Sequence, residues 1–471
     1  MQAFESPRGY QVVRQASGSD LQARFAEIVG PRRVRSDPSS LAAYGIDATV
    51  GYRGYPALAV FPTTAAAAAS ALALAGSLGL AATARGGGTS LAAGATPLDG
   101  SIVICTELID QPLVVDPDAL SVRCGAGVKT AQIDAAAAEF DLFLAPDPGA
   151  RAISVIGGNV ATNAGGALGL AYGVIRHHVL GLEYATVNGH IHHVRRGGAD
   201  EGMVDLLIGS EGTLGLITAV DLALLPAPPR RHSLVARCVD AAAAARATIA
   251  LLERGFLPAR IEFMDDVAVR AVQAARDRGL DLSVGAYLLI EFVGRGSRPQ
   301  RQVEAALKAL QGTGGIDAEK VAGQRERSYW EARHAITSSL ARVRPGKIGE
   351  DICLPRTRLP DAVDRIKQIA AELDLPIALF GHIGDGTLHP NVLYDPLDED
   401  QRHRAAAALG RIAETSIELG GVLSGEHGLG RVKRDHLEAA FDSDTLAVFQ
   451  RLRDAADPGA VLNRPLQWVG R

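Results

Sequence analysis

The chain has 471 residues, 47% hydrophobic and 21% charged, with a net charge of −5: a globular composition, too long for one ordinary core, without the basic balance that a nucleic-acid partner calls for. Its four cysteines (Cys105, Cys124, Cys238, Cys353) are scattered with no C-x-x-C pair, which excludes a disulfide framework and an iron–sulfur ligand set and points to a reducing, cytoplasmic compartment. Met1 to Tyr10 carries no apolar segment of secretory type and no apolar run reaches transmembrane length, so membrane contact is expected only as a peripheral one on an inner face.

In chain order, the opening segment to about Tyr44 reads as polar and helical. A strand over 57–61 ends at Pro62, and the Ala-rich run 65–80 has high helix propensity. A Gly-rich stretch, 81–96, follows. Strands are expected at 101–105, 113–115 and 120–124, then a helix near 130–140 and a long Pro/Gly/Asn region over 145–173. Strands 179–187 and 191–194 flank Asn188-Gly189, a strong hairpin signal. A strand over 218–225 closes on the cluster Pro226-Ala227-Pro228-Pro229, a domain boundary. Beyond it, helices 241–254, 265–278 and 300–311 with a strand at 286–292 read as an α+β module. A strand at 377–380 and a helical segment over 437–456 complete the chain.

Three upstream segments are rich in tiny residues: Arg85-Gly86-Gly87-Gly88-Thr89-Ser90, 156–166 and 208–215. Consecutive glycine N–H groups line concave anion sites, and a missing Cβ lets a pyrophosphate approach. Neither a Walker lysine nor a strand–GxGxxG–helix fingerprint is present. Tight turns are the competing reading for each segment taken singly.

Near the C-terminus His382 and His389 lie in Gly381-His382-Ile383-Gly384-Asp385-Gly386-Thr387-Leu388-His389, and Glu426-His427 follow in Ser424-Gly425-Glu426-His427-Gly428. His382, His389 and Glu426 make a three-ligand metal set with open positions for substrate oxygens, and His427 is a base beside it. Zn²⁺ suits two His and a Glu, while Mn²⁺ and Fe²⁺ also accept N/O ligands. Trp330, Arg333 and Thr337 share one helix face, on which a guanidinium offers a carboxylate two parallel hydrogen bonds; Lys347 adds a third contact. A solvated face is the alternative.

Taken together in their order along the chain, these segments resemble the vanillyl-alcohol-oxidase/p-cresol-methylhydroxylase superfamily. The resemblance is to its FAD-linked D-2-hydroxy-acid dehydrogenase branch, which holds a subunit of glycolate oxidase together with D-lactate dehydrogenase and D-2-hydroxyglutarate dehydrogenase. Further stretches that carry it are Pro146-Asp147-Pro148-Gly149, Tyr172-Gly173, Val179 to Glu183, Ile261 to Asp265, Glu350-Asp351, Lys433 and Leu462-Asn463.

The resemblance implies an α+β protein. An FAD-binding domain of p-cresol-methylhydroxylase type, with two subdomains (residues 1–228), would be completed by a C-terminal helical segment (416–471). A ferredoxin-like substrate (cap) domain (229–415) would be inserted between them. It implies non-covalent FAD held by Arg85, Gly86, Gly87, Gly88, Thr89, Ser90, Pro146, Asp147, Gly157, Gly158, Asn159, Asn163, Gly166, Tyr172, Gly173, Glu211, Gly212, Ile217 and Asn463. For the substrate it implies Arg333, Thr337, Lys347 and Asn391, with Arg333 and His427 catalytic. Thr387 and Arg464-Pro465 depart from the family pattern.

The implied reaction is FAD- and metal-dependent oxidation of a small D-2-hydroxy acid, D-lactate or glycolate first and D-2-hydroxyglutarate as the alternative. Without a nicotinamide fingerprint, electrons are expected to leave to a quinone, a cytochrome or an electron-transfer flavoprotein. A partner protein carrying iron–sulfur clusters and a homodimer are further expectations. The readings from other classes are a flavin-free metallohydrolase, which leaves the Gly-rich half unexplained, and a non-catalytic flavin-binding component of an oxidase complex.

Overall fold

The computed structural model describes residues 18–311, 313 and 315–464, so the opening of the expected N-terminal helical segment and Pro465 lie outside the described residues. The chain forms two compact units: residues 1–164, 175–226 and 427–471 in the first, 165–174 and 227–426 in the second.

The first unit holds two sheets. One is built from β1 (Val34–Arg35), β2 (Leu58–Val60), β3 (Ala82–Arg85) and β4 (Ile102–Cys105), in the order β1-β2-β4-β3 with β2 and β3 parallel to β4. Helix Ala65–Ser77 packs Ala68 and Leu72 against Leu58, Val60, Ile102 and Ile104 of this sheet. Its N-terminus is capped by Thr64, whose hydroxyl accepts from Ala67 N at 3.2 Å.

Strand β3 falls inside the stretch read as Gly-rich loop. Ala-Thr-Ala-Arg has weak strand propensity, and tertiary pairing supplies the strand instead. Ala82 N–H donates to Val461 O at 2.7 Å and Ala82 O accepts from Asn463 N at 2.8 Å, so the far C-terminus borders β3 on the side away from β4.

The second sheet contains β5 (Leu113–Asp116), β6 (Ser121–Gly125), β8 (Val179–Ala185), β9 (Ile191–Arg195) and β10 (Leu216–Ala223) in the antiparallel order β5-β6-β10-β8-β9, and β7 (Leu142–Phe143) pairs separately with β11 (Leu225–Pro226). The β8–β9 hairpin turns at Asn188-Gly189, with Gly189 at φ +80°. Segment 156–162, read as loop, is a helix despite two glycines. Burial of Ile156 and Val160 in the core outweighs the propensity cost. A Cβ on Gly157 would stand 2.6 Å from the Ala126 Cβ, so only glycine lets this helix sit where it does.

The second unit is organised on β12 (Arg230–Cys238), β13 (Arg260–Asp265), β14 (Ala286–Gly294), β15 (Ile316–Val321), β16 (Gly346–Gly349), β17 (Ile352–Cys353), β18 (Ile377–Gly381) and β19 (Thr387–Tyr394). The order β15-β12-β14-β13, all antiparallel, with helices Ala241–Glu253 and Arg298–Gln311 as crossovers, is a ferredoxin-like β-α-β-β-α-β arrangement. The sheet continues through β18, β19 and β16. Alternate residues feed two cores: Leu234 and Ala236 face those crossover helices, while Val235, Tyr287 and Leu289 face helices Asp266–Ala275 and Gly323–Ser339. Strands buried on both faces show no polar alternation, which is why most of this sheet is not legible as strand in the sequence. The expected helix from Asp265 starts one residue later: Asp265 ends β13 and caps the helix, accepting from Ala268 N at 2.8 Å.

Residue 415 lies within helix Glu399–Glu418 of the second unit. The expected C-terminal helical segment is realised as helices Leu437–Ala440 and Ser443–Ala456. Among the described residues no helix is long and apolar enough to cross a membrane, and all four cysteines are free.

Candidate active site

In the first unit, Gly86 to Ser90 emerge directly from the C-terminal end of β3, half-buried except for the exposed Gly87. Gly86 and Gly87 lie against segment 153–158: a Cβ on Gly87 would meet Ile153 O at 2.5 Å, and one on Gly86 would meet the Val155 side chain at 2.6 Å. The Arg85 guanidinium packs over Gly88, in the space a Cβ there would take, and donates to Ile46 O at 2.7 Å. The Ser90 hydroxyl accepts from Gly94 N at 3.1 Å.

Several expected cofactor residues commit their side chains to the protein. Asp147 pairs with Arg151 at 2.8 Å. Asn159 donates to the Thr130 hydroxyl at 2.6 Å, and Asn163 accepts from Arg176 N at 3.2 Å. The Glu211 carboxylate accepts from Leu429 N at 2.7 Å and Gly430 N at 3.0 Å. Asn463 accepts from Ala84 N at 2.8 Å and donates to Glu211 O. Gly212, at φ +71°, packs on Ala84 and Asn463; Pro146 and Ile217 are buried. These groups fix the loops. Gly166, Tyr172 and Gly173 lie in 165–174, which belongs to the second unit.

The second unit brings His382, His389 and Glu426 together, one donor atom from each lying within 4.8 Å of the others. His382 closes the β18 end and His389 sits on β19, the two strands pairing Phe380 with His389. Glu426 Oε1 is 3.3 Å from His382 Nε2 and 3.2 Å from His389 Nε2. Donors in one tetrahedral shell with bonds of about 2.1 Å stand about 3.4 Å apart, so the set fits a divalent cation by spacing and by donor chemistry.

Both imidazoles turn Nδ1 towards a buried carboxylate, the arrangement that orients metal-ligating histidines. His382 Nδ1 is 2.7 Å from Glu262 Oε1, and His389 Nδ1 is 3.6 Å from Asp351 Oδ1. Asp351 also accepts from Ser424 Oγ at 2.9 Å and from Glu426 N at 2.8 Å. Burial works against charge on His382, but Glu262 and Glu426 raise its pKa well above the ordinary range. Burial would lift Glu426, yet its bonds to His382 and His389 hold it well below the carboxylate range. Burial pushes Asp385 up to about 6.

Arg333, on helix Gly323–Ser339, ion-pairs with Glu262 Oε2 at 2.7 Å and stacks over Phe380 at 5.2 Å. Among the described residues its buried Nε has no hydrogen-bond partner. Thr337 is exposed one turn on, and its carbonyl accepts from Lys347 Nζ at 3.3 Å. Burial lowers the Lys347 pKa. Asn391, buried on β19, donates to His389 O at 3.1 Å. Arg333, His382, His389, Glu426 and Asn391 thus belong to one compact unit, whereas His427, next in the chain, opens the last segment of the other. Glu262 and Asp351 carried no assigned role in the sequence. Their partners lie far along the chain, 120 residues from Glu262 to His382, and no local spacing announces them.

Two family models match the chain: an FAD binding domain over residues 56–195 and the C-terminal domain of FAD linked oxidases over residues 227–465. The chain belongs to the FAD-linked oxidase family. This FAD-linked oxidase is 33% identical to glycolate oxidase subunit GlcD of Bacillus subtilis over 94% of its own length and 96% of that protein. It is 32% identical to a D-lactate dehydrogenase of Archaeoglobus fulgidus over 80% of its length and 84% of that protein. Its fold is that of p-cresol methylhydroxylase, with a TM-score of 0.82, 14% identity and coverage of 97% of this chain and 98% of that one. Alkyldihydroxyacetonephosphate synthase shares it at a TM-score of 0.75 and 15% identity, over 98% and 88% of the two chains. The FAD-linked oxidase is an FAD-dependent oxidoreductase of a family that oxidises hydroxy acids. Consecutive glycines at 86–88, with Gly87 exposed and the Arg85 guanidinium over Gly88, have the donor chemistry of an anion site.

Proposed function

We propose that this oxidase converts a small D-2-hydroxy acid, D-lactate or glycolate first, to the 2-oxo acid in a metal-dependent reaction. The observation that carries the reading is the convergence of His382, His389 and Glu426 with Arg333 in one unit. Relatives named for glycolate oxidase and D-lactate dehydrogenase favour the same chemistry.

Arg333 anchors the substrate carboxylate through guanidinium N–H groups, with Lys347 and Thr337 beside it and Asn391 as a further polar contact. His427 takes the hydroxyl proton as general base. Bound FAD would supply the acceptor for the Cα hydride. His382, His389 and Glu426 would hold a divalent cation, whose Lewis acidity would lower the hydroxyl pKa. Glu262, 2.7 Å from His382 Nδ1, would orient that ring with Nε2 towards the cation, and Asp351 lies on the Nδ1 side of His389. Residues 1–228 with the C-terminal segment are proposed to hold FAD, and the ferredoxin-like part to hold substrate. Electrons then pass to a quinone, a cytochrome or an electron-transfer flavoprotein. Relatives named as subunits of glycolate oxidase support a partner protein, which this reading takes to carry iron–sulfur clusters.

The test is turnover with an artificial dye acceptor, using D-lactate, L-lactate, glycolate and D-2-hydroxyglutarate. Activity confined to D-lactate and glycolate, lost on chelation and restored by Zn²⁺ or Mn²⁺, is expected. Activity indifferent to chelation would remove the metal from the reading, and turnover of L-lactate alone would remove the stereochemistry.

A further inference from the structure

We propose that Glu262 is a positioning residue that joins the metal site to the carboxylate anchor. The inference rests on the reading of His382, His389 and Glu426 as a metal site and of Arg333 as the anchor.

Glu262 lies on β13, whose neighbour β18 pairs Phe263 with Gly381. That register places the Glu262 side chain beside His382, the residue after Gly381. The carboxylate is 2% exposed, and its two oxygens serve two donors: Oε1 lies 2.7 Å from His382 Nδ1 and Oε2 lies 2.7 Å from Arg333 Nη2. Among the described residues Arg333 is otherwise held by stacking over Phe380, and its Nε has no hydrogen-bond partner. Glu262 is therefore the polar contact that fixes where this guanidinium points.

A carboxylate is the one side-chain group that accepts from both neighbours at once. A glutamine accepts through one oxygen and presents an N–H₂ to the other donor. One substitution should thus disturb two functions that share no ligand atom: metal affinity through His382, and carboxylate recognition through Arg333. A buried ion pair that serves the fold alone would move neither.

The experiment compares wild type, Glu262→Gln and Glu262→Asp as holoenzymes. Zn²⁺ and Mn²⁺ affinity is read by competition with a chromophoric chelator in the absence of substrate. KM and kcat for D-lactate are then read at saturating metal. Glu262→Gln should lose about 10–100-fold in metal affinity and show a raised KM for D-lactate. Glu262→Asp keeps the charge on a stem shorter by one methylene and should recover part of both. Glu262→Asp keeps the proposal open to test where the amide variant fails to fold.

Wild-type metal affinity and KM in either folded variant, with only a lowered melting temperature, would overturn the proposal and leave the metal site standing. A wild-type protein that takes up neither ion would overturn the metal reading and this inference with it.

Discussion

The Asn463 side-chain oxygen accepts from the backbone N–H of Ala84 at 2.8 Å, tying together residues 379 apart in the chain. Ala84 lies on β3, one residue short of the loop 85–90 that presents the glycine backbone. The same Asn463 donates to Glu211 O, so the C-terminal segment braces two of the three Gly-rich segments. Asn463 adopts φ +37°, a conformation asparagine tolerates better than most residues. Asn463→Ala leaves buried polar groups unsatisfied and should cost about 2 kcal/mol, with lower FAD retention on gel filtration. Asn463→Asp keeps the acceptor but sets a carboxylate oxygen against Glu211 O, and should be no better. Full FAD retention in both variants would contradict this role.

Glu211 acts through the backbone of 429–430. Burial raises its pKa, and the two N–H groups with Lys433 pull the other way. Glu211→Gln can accept from only one of the two amides, so a cost of about 1–3 kcal/mol in thermal unfolding is expected. Because His427 immediately precedes the tethered stretch, kcat should fall more than KM rises. Wild-type kcat in a folded variant would show that the tether is structural alone.

Asp351 supports two of the three proposed ligands, facing His389 Nδ1 at 3.6 Å and accepting from Glu426 N at 2.8 Å. Asp351→Asn should weaken Zn²⁺ binding by about 10–100-fold, read by competition with a chelator. An unchanged affinity would mean that Glu426 and His389 hold their places without it.

Lys367 pairs with Asp265 and, at 3.1 Å, with Asp266. Burial raises the Asp265 pKa despite Lys367, so folding favours its protonated form. Its contribution to stability is present below the unfolded carboxylate pKa and is lost as pH rises through the folded one. Lys367→Met removes the cation, pushes Asp265 further up and enlarges that loss. The substitution should cost about 3 kcal/mol at pH 7, and the cost should shrink as pH falls towards 4. Denaturant unfolding at several pH values reads it, and a cost independent of pH would contradict the assignment to Asp265.

What the sequence made legible follows from where the information lies. Asn188-Gly189 marked its hairpin because a two-residue turn is a local choice. The Ala-rich run marked helix Ala65–Ser77 because propensity is local too. Strand β3 was hidden because Ala-Thr-Ala-Arg becomes a strand only between β4 and a segment at Val461–Asn463. Helix Ile156–Thr162 was hidden because burial overrode its glycines. The histidines of the candidate metal site stood out through their residue types. Glu262, on a strand, and Asp351, in the link between two strands, gained meaning only from the carboxylate-to-imidazole distances.

The central claim is tested most directly by anaerobic titration of the purified, metal-replete protein, following the absorbance of its bound FAD. The account predicts rapid bleaching by D-lactate or glycolate and none by L-lactate. A flavin-loaded protein that D-lactate, glycolate and D-2-hydroxyglutarate all fail to reduce would contradict it.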